Sequence, residues 1–124
     1  MSTRSRIAIK NQDESYHSIY VHWDGDNHFD ILKQFYSIED QVRELIKLGD
    51  LSVLGKKIGT KTNFDTFSGQ EQCLAYDRDR GDQDVEAIHS PHYSDLINLS
   101  GNCNAEFLYI FEKRKGWNQI LIDV

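Results

Sequence analysis

Phe107-Leu108-Tyr109-Ile110-Phe111 runs through Glu112 into Lys113-Arg114-Lys115-Gly116, and Trp117 to Val124 then extends again. Phe107, Tyr109 and Phe111 alternate with Leu108 and Ile110, which is the period of a strand, and the glycine-ended basic turn returns the chain as a second one. The opening of the sequence repeats this arrangement. Ile7 and Ile9 alternate with Arg6, Ala8 and Lys10, Ile19, Val21 and Trp23 alternate with Tyr20 and His22, and Asn11-Gln12-Asp13-Glu14-Ser15 between them is loop-forming. A hairpin at each end of the chain predicts an antiparallel sheet.

The intervening segment is helical in character. Asp24-Gly25-Asp26-Asn27 breaks the second strand, and Asp26 or Asn27 can cap a helix whose apolar face is Phe29, Leu32, Phe35 and Tyr36. Ser37 and Asp40 resemble a shortened capping box before Val42, Leu45 and Ile46, with Gly49 as the stop. Asp50 then caps a single turn, Leu51 to Leu54, closed by Gly55. Lys56 to Gln72 has no sustained period and reads as a loop or mobile flap. Structure resumes at Cys73 to Tyr76; Asp77 to Asp84 reads as a strand end and turn, Val85 to Ile88 as a short strand, and Pro91 to Leu99 as a short helix. The fold class expected is α+β, one domain over residues 1–124, with an antiparallel sheet, two terminal hairpins and helices packed on one face.

Composition narrows the function classes. At 39% hydrophobic residues and a single proline, Pro91, the chain is an ordinary globular sequence, and a domain of this size hides roughly two-thirds of its unfolded surface. No apolar run approaches a membrane span, and no apolar signal segment follows Met1 to Arg6, so a soluble cytoplasmic protein is expected. Cys73 and Cys103 lack metal-ligand spacing and read as reduced thiols. The net charge is −6, concentrated between residues 11 and 50, which makes bulk DNA binding unfavourable. Basic clusters remain at Arg4/Arg6/Lys10, Lys56/Lys57/Lys61 and Lys113-Arg114-Lys115.

Four constellations bear on chemistry. His22, Asp24, Asp26, His28 and Asp30 supply metal-ligand types, set against a plain turn and helix cap; Phe29 and Phe35 stand where an EF-hand needs glycine and glutamate. Arg78 and Arg80, flanking Asp79 before Gly81, present two guanidinium forks to a phosphate, set against a loop in which neighbouring acids consume them. Trp23, Tyr76 and Trp117 lie beside polar segments and offer stacking surfaces for a base, set against a place in the core. His89-Ser90-Pro91-His92 lacks a nucleophile elbow, and Gly55 to Gly59 lacks the Gly-Lys-Ser/Thr end of a phosphate loop.

Taken together, Ser2-Thr3-Arg4-Ser5, His22-Trp23-Asp24-Gly25, Leu45 to Gly55 with its Leu-Gly-Asp-Leu-Ser-Val-Leu-Gly core, and Asp77-Arg78-Asp79-Arg80-Gly81 resemble a family of small phage and prophage proteins of unknown function. The likeness runs in order from Ser2 to Gly81 and departs from the family pattern at Asp26-Asn27-His28, which replaces a more hydrophobic continuation. The resemblance carries over no catalytic residue, ligand or cofactor. It implies a phage context in the host cytoplasm, where small accessory proteins antagonise a host defence factor by binding a protein or by sequestering a phosphorylated nucleotide signal. The ligand-binding residues expected on this reading are Arg78, Arg80, Tyr76, Trp23 and Arg4, with no catalytic or metal site. Homo-oligomerisation stays open. A metal-dependent phosphodiester hydrolase, using His22, Asp24 and His28 with Arg78 or Arg80, is the alternative.

Overall fold

A strand that carries five apolar side chains in succession has to be covered on both faces, and this decides where Phe107–Glu112 lies. The computed structural model describes residues 3–65 and 71–122. In chain order it forms β1 (Ser5–Lys10), β2 (Tyr16–Val21), a 3₁₀ turn (Gly25–Asn27), α1 (His28–Phe35), α2 (Glu39–Lys47), β3 (Leu51–Val53), β4 (Leu74–Ala75), α3 (Tyr76–Arg80), β5 (Ile88–Ser90), α4 (Tyr93–Asn102), β6 (Phe107–Glu112) and β7 (Gly116–Leu121). Among the described residues these make one seven-stranded, mostly antiparallel sheet and four α-helices, so the chain is mixed α and β. The sheet order is β4-β3-β2-β1-β6-β7, with β5 sharing the outer edge of β2.

Two pairings are parallel, β1 with β6 and β2 with β3. β1 pairs β2, and β6 pairs β7, in antiparallel register. Ile7 therefore stands beside both Ile19 and Tyr109, and Ile9 beside Phe111. This row packs with Leu32 and Tyr36 of the α1 segment, with Val42, Leu45 and Ile46 of α2, and with Trp117 in the main core. Ala8, Leu108 and Ile110 point the other way and meet Leu96 of α4 and Tyr16 in a second cluster.

The expectation that helices cover a single face does not hold, because Ala8, Leu108 and Ile110 form a second apolar surface that Leu96 of α4 covers. Trp117 belongs to the core, its indole N–H donating to the Tyr36 carbonyl at 2.8 Å, while the Tyr36 hydroxyl donates to the Gly55 carbonyl at 2.8 Å.

Other elements also differ from the sequence reading. Leu51–Val53 is a strand, not a helical turn, since Leu51 completes the row beyond Val21. Tyr76–Arg80 is a helix ended by Gly81 at φ +78°. β5 begins where Val85 to Ile88 was expected to end, and α4 runs through Asn102. The expected box at Ser37 and Asp40 is instead Gln41, whose Oε1 accepts the amides of Ser37 and Ile38 at 3.2 and 3.4 Å. Gly49, at φ +82°, ends the α2 segment as expected; a Cβ there would lie 2.5 Å from the Val85 carbonyl oxygen. Of the expected Lys56 to Gln72 flap, residues 66–70 lie outside the described residues, and Lys57 and Gln72 form an isolated bridge. Neither cysteine forms a disulfide. No helix among the described residues is long and apolar enough to cross a membrane.

Candidate functional site

The strand register sorts side chains to two ends of the sheet. Ser5 lies beside Val21 and Phe107, and Val21 beside Leu51, so Arg4, His22 and Trp23 come together at one end. The loop after Trp23 is pinned from beneath. The Gly25 amide donates to the Thr3 carbonyl at 2.8 Å, and a Cβ on Gly25 would sit 2.8 Å from that same oxygen, so this close approach requires glycine. The buried Tyr109 hydroxyl donates to the Gly25 carbonyl. His28 is buried with its Nδ1 2.9 Å from Ser5 Oγ, and burial pushes its pKa down to about 4. Trp23 is left 44% exposed at the rim.

Arg4, Arg6, Tyr20 and His22 share the face that carries α4. Arg4 Nε donates to the Tyr20 hydroxyl at 3.0 Å, and that hydroxyl lies 2.7 Å from His22 Nδ1. The hydroxyl, with two lone pairs and a proton of its own, bridges the Arg4 guanidinium and a neutral His22 imidazole. Burial, assisted by the Arg4 charge, lowers the His22 pKa and favours this neutral ring. The imidazole stands edge-on to the Trp23 indole with centroids 4.8 Å apart.

Arg6 is 2% exposed and donates to Ser18 Oγ at 2.7 Å and to the Ser18 carbonyl at 3.4 Å. Its other terminal nitrogen lies 3.9 Å from Cys103 Sγ, at the end of α4, where the partial negative charge of a helix C-terminus offsets the guanidinium. Among the described residues neither Arg4 nor Arg6 forms an ion pair.

Asp50 joins α3 to this end. Its carboxylate accepts the Tyr20 amide at 2.9 Å while its carbonyl accepts the Tyr76 amide at 3.2 Å. Burial raises the Asp50 pKa, against the opposing pull of the Tyr20 amide and the Arg6 charge. The Tyr76 ring packs on Phe64 at 5.5 Å, and the Arg80 guanidinium lies 5.0 Å over Tyr76 and 4.5 Å over Phe64.

The two guanidinium forks expected to meet one phosphate are engaged separately. Arg80 closes a fork on Asp82, with Nη2 to Oδ2 at 2.7 Å and Nε to Oδ1 at 3.0 Å. Arg78 turns inward and donates to the carbonyls of Ile58 and Cys73, each at 2.8 Å, and to Asp79 Oδ1 at 3.0 Å. Asp79 in turn accepts the amides of Thr62 and Ala75. Burial alone would raise the Asp79 pKa, but these bonds, led by Arg78, hold it below the usual carboxylate value. Arg78 is thus a clamp across three chain segments.

Of the expected ligand residues, Arg4 and Trp23 lie at one end of the sheet, Tyr76 is tied to Asp50 beside Tyr20 with Arg80 over its ring, and Arg78 does not join them. Tyr20 and His22 are additions. Their signal was the same-face spacing of Tyr20 with His22 and of Arg4 with Arg6, which becomes a contact once the hairpin register is fixed. The His22 to Asp30 run does not converge, because His28 turns into the core while His22 stays on the opposite face. Among the described residues no three His, Cys, Asp or Glu side chains gather in a way that could hold a metal ion. His89 stacks near His17 at 5.0 Å, at the other end of the sheet, and Ser90 is buried.

Comparison with protein-family models, with curated proteins and with solved structures returned no significant match.

Proposed function

We propose that this chain is an accessory binding protein of phage type that holds a phosphorylated nucleotide intact, and so withdraws a signal from host defence. The binding end is formed by Arg4, His22 and Trp23, with Tyr76 and Arg80 on its flank. One observation carries this reading: the Arg4–Tyr20–His22 hydrogen-bond chain lies beside an exposed indole, and Arg4 has no carboxylate partner among the described residues. Phosphate oxygens suit the guanidinium and the imidazole N–H, and a base suits the face of Trp23. Among the described residues the same end offers no activated nucleophile, and the residues of the hydrolase alternative are split between the core and the surface, which favours retention over cleavage.

The test is chemical recovery. Protein purified from bacterial cells is heat-denatured, and the released compounds are identified by chromatography and mass spectrometry. An intact phosphorylated nucleotide, stoichiometric with wild-type chain and missing from Arg4→Ala, is the expected result. Conversion of added nucleotide beyond one turnover per chain restores the hydrolase, and a retained protein without any nucleotide replaces sequestration by protein binding.

A further inference from the structure

Because β1 and β6 run parallel, the turns that follow them emerge at the same end of the sheet, opposite Trp23. The Asn11–Ser15 turn and the Lys113–Lys115 turn flank a recess of about 420 Å³, which α2 borders through Glu39 and Arg43. Five cations line it, Lys10, Arg43, Lys113, Arg114 and Lys115, against the carboxylates of Glu14, Glu39 and Glu112. The excess is positive on a chain whose net charge is −6.

The pairs within it are mostly long and wet. Lys113 reaches Glu39 at 3.8 Å, Lys115 reaches Glu112 at 4.0 Å, and both lysines are more than 70% exposed. Lys10 meets Glu112 at 3.3 Å and Arg43 meets Glu39 at 3.0 Å. Arg114 forms no ion pair among the described residues. Exposed pairs of this kind contribute little to stability, so a multivalent anion displaces them readily. No aromatic side chain lines the recess, and nothing there stacks on a base.

The geometry points to a second binding site, separate from the nucleotide end, that takes a run of linked phosphates through Lys10, Arg43 and the Lys113-Arg114-Lys115 turn. Its volume falls within the range of small-molecule sites, and its chemistry reads charge without reading a base. The linked phosphates come from free oligophosphate or from a nucleic-acid backbone.

Calorimetric titration of the full chain with inorganic tripolyphosphate, and separately with a single-stranded oligonucleotide, distinguishes the two. Saturable one-to-one binding of tripolyphosphate is expected. It should weaken at least about tenfold in the Lys113→Ala, Arg114→Ala, Lys115→Ala triple variant, as loss of charge-assisted hydrogen bonds requires. Glu39→Gln, which releases both Arg43 and Lys113, should tighten it. Binding of the oligonucleotide alone, lost in the same triple variant, assigns the phosphates to nucleic acid. No binding of either probe, or binding indifferent to the triple variant and to Glu39→Gln, overturns the proposal. Neither the triple variant nor Glu39→Gln touches Arg4, His22 or Trp23, which keeps failure here distinct from failure of the nucleotide end.

Discussion

The two ends of the sheet handle positive charge in opposite ways. At the Trp23 end, Arg4 and Arg6 are held by hydroxyl, carbonyl and helix-terminus partners, without carboxylates in ion-pair range among the described residues. At the hairpin-turn end, Lys10, Arg43, Lys113 and Lys115 each have a glutamate within 4.0 Å. The first arrangement fixes a hydrogen-bond chain beside an indole, the geometry on which the proposed recognition of shape as well as charge rests. The second is a set of surface pairs with no aromatic beside them, and the proposed site there reads charge alone. The first follows from the registers of β2 with β1 and β3, the second from the parallel pairing of β1 with β6.

The comparison is first sharpened by separating Arg78 from Arg80, which the sequence presents as equivalents. Arg78→Ala removes one partner of a buried ion pair and should cost about 3 to 5 kcal/mol of stability, read from denaturant unfolding. A loss below 1 kcal/mol would mean that the clamp across Ile58, Cys73 and Asp79 contributes little.

The anchoring beneath Trp23 is tested by pH. The folded His28 pKa of about 4 lies below the unfolded value of 6.5, so the folded state binds fewer protons. The stability this neutral ring contributes is fully present above pH 6.5 and is lost as pH falls toward 4. The shift corresponds to about 3 kcal/mol, most of it gone by pH 4.5. His17 and His22 also have lowered values, led by burial, and add slope of the same sign. Unfolding curves at pH 7 and 4.5 should show the loss, and a His28→Asn variant should show a flatter dependence. Equal slopes in the two proteins would place the acid sensitivity elsewhere.

The smallest effect is expected at Arg80. Its pair with Asp82 is exposed, so the denaturant unfolding of Arg80→Ala should stay close to that of the wild-type chain. A modest weakening of nucleotide binding would mark its place over Tyr76. A large stability loss would show that the stack on Phe64 and Tyr76 holds α3 in place.

Much of the sheet was legible where one period dominates: Ile7 and Ile9, Ile19 and Val21, and Phe107 to Phe111 all lie in strands. The second helical layer was not, because alternation of Phe107, Tyr109 and Phe111 draws attention to one face while Leu108 and Ile110 are equally apolar on the other. Leu51–Val53 and Tyr76–Arg80 are short segments set by tertiary pairing, where local propensity decides little. At the candidate site, Arg4, Trp23 and Tyr76 were visible as residue types. The Tyr20–His22 link was not, since it depends on β1–β2 register and on a hydroxyl that bridges two side chains.

The account rests on Arg4 and Trp23 acting together on one ligand, and Trp23 emission measures this directly because Trp117 is 8% exposed while Trp23 is open to quenchers. Wild-type chain and Arg4→Ala are titrated with a panel of cyclic mono- and dinucleotides, with thermal melting measured in parallel. At least one compound should quench Trp23 saturably, and Arg4→Ala should weaken that binding about tenfold or more while the two proteins melt alike. Quenching that Arg4→Ala leaves intact, or a panel that leaves Trp23 emission unchanged throughout, would contradict the account.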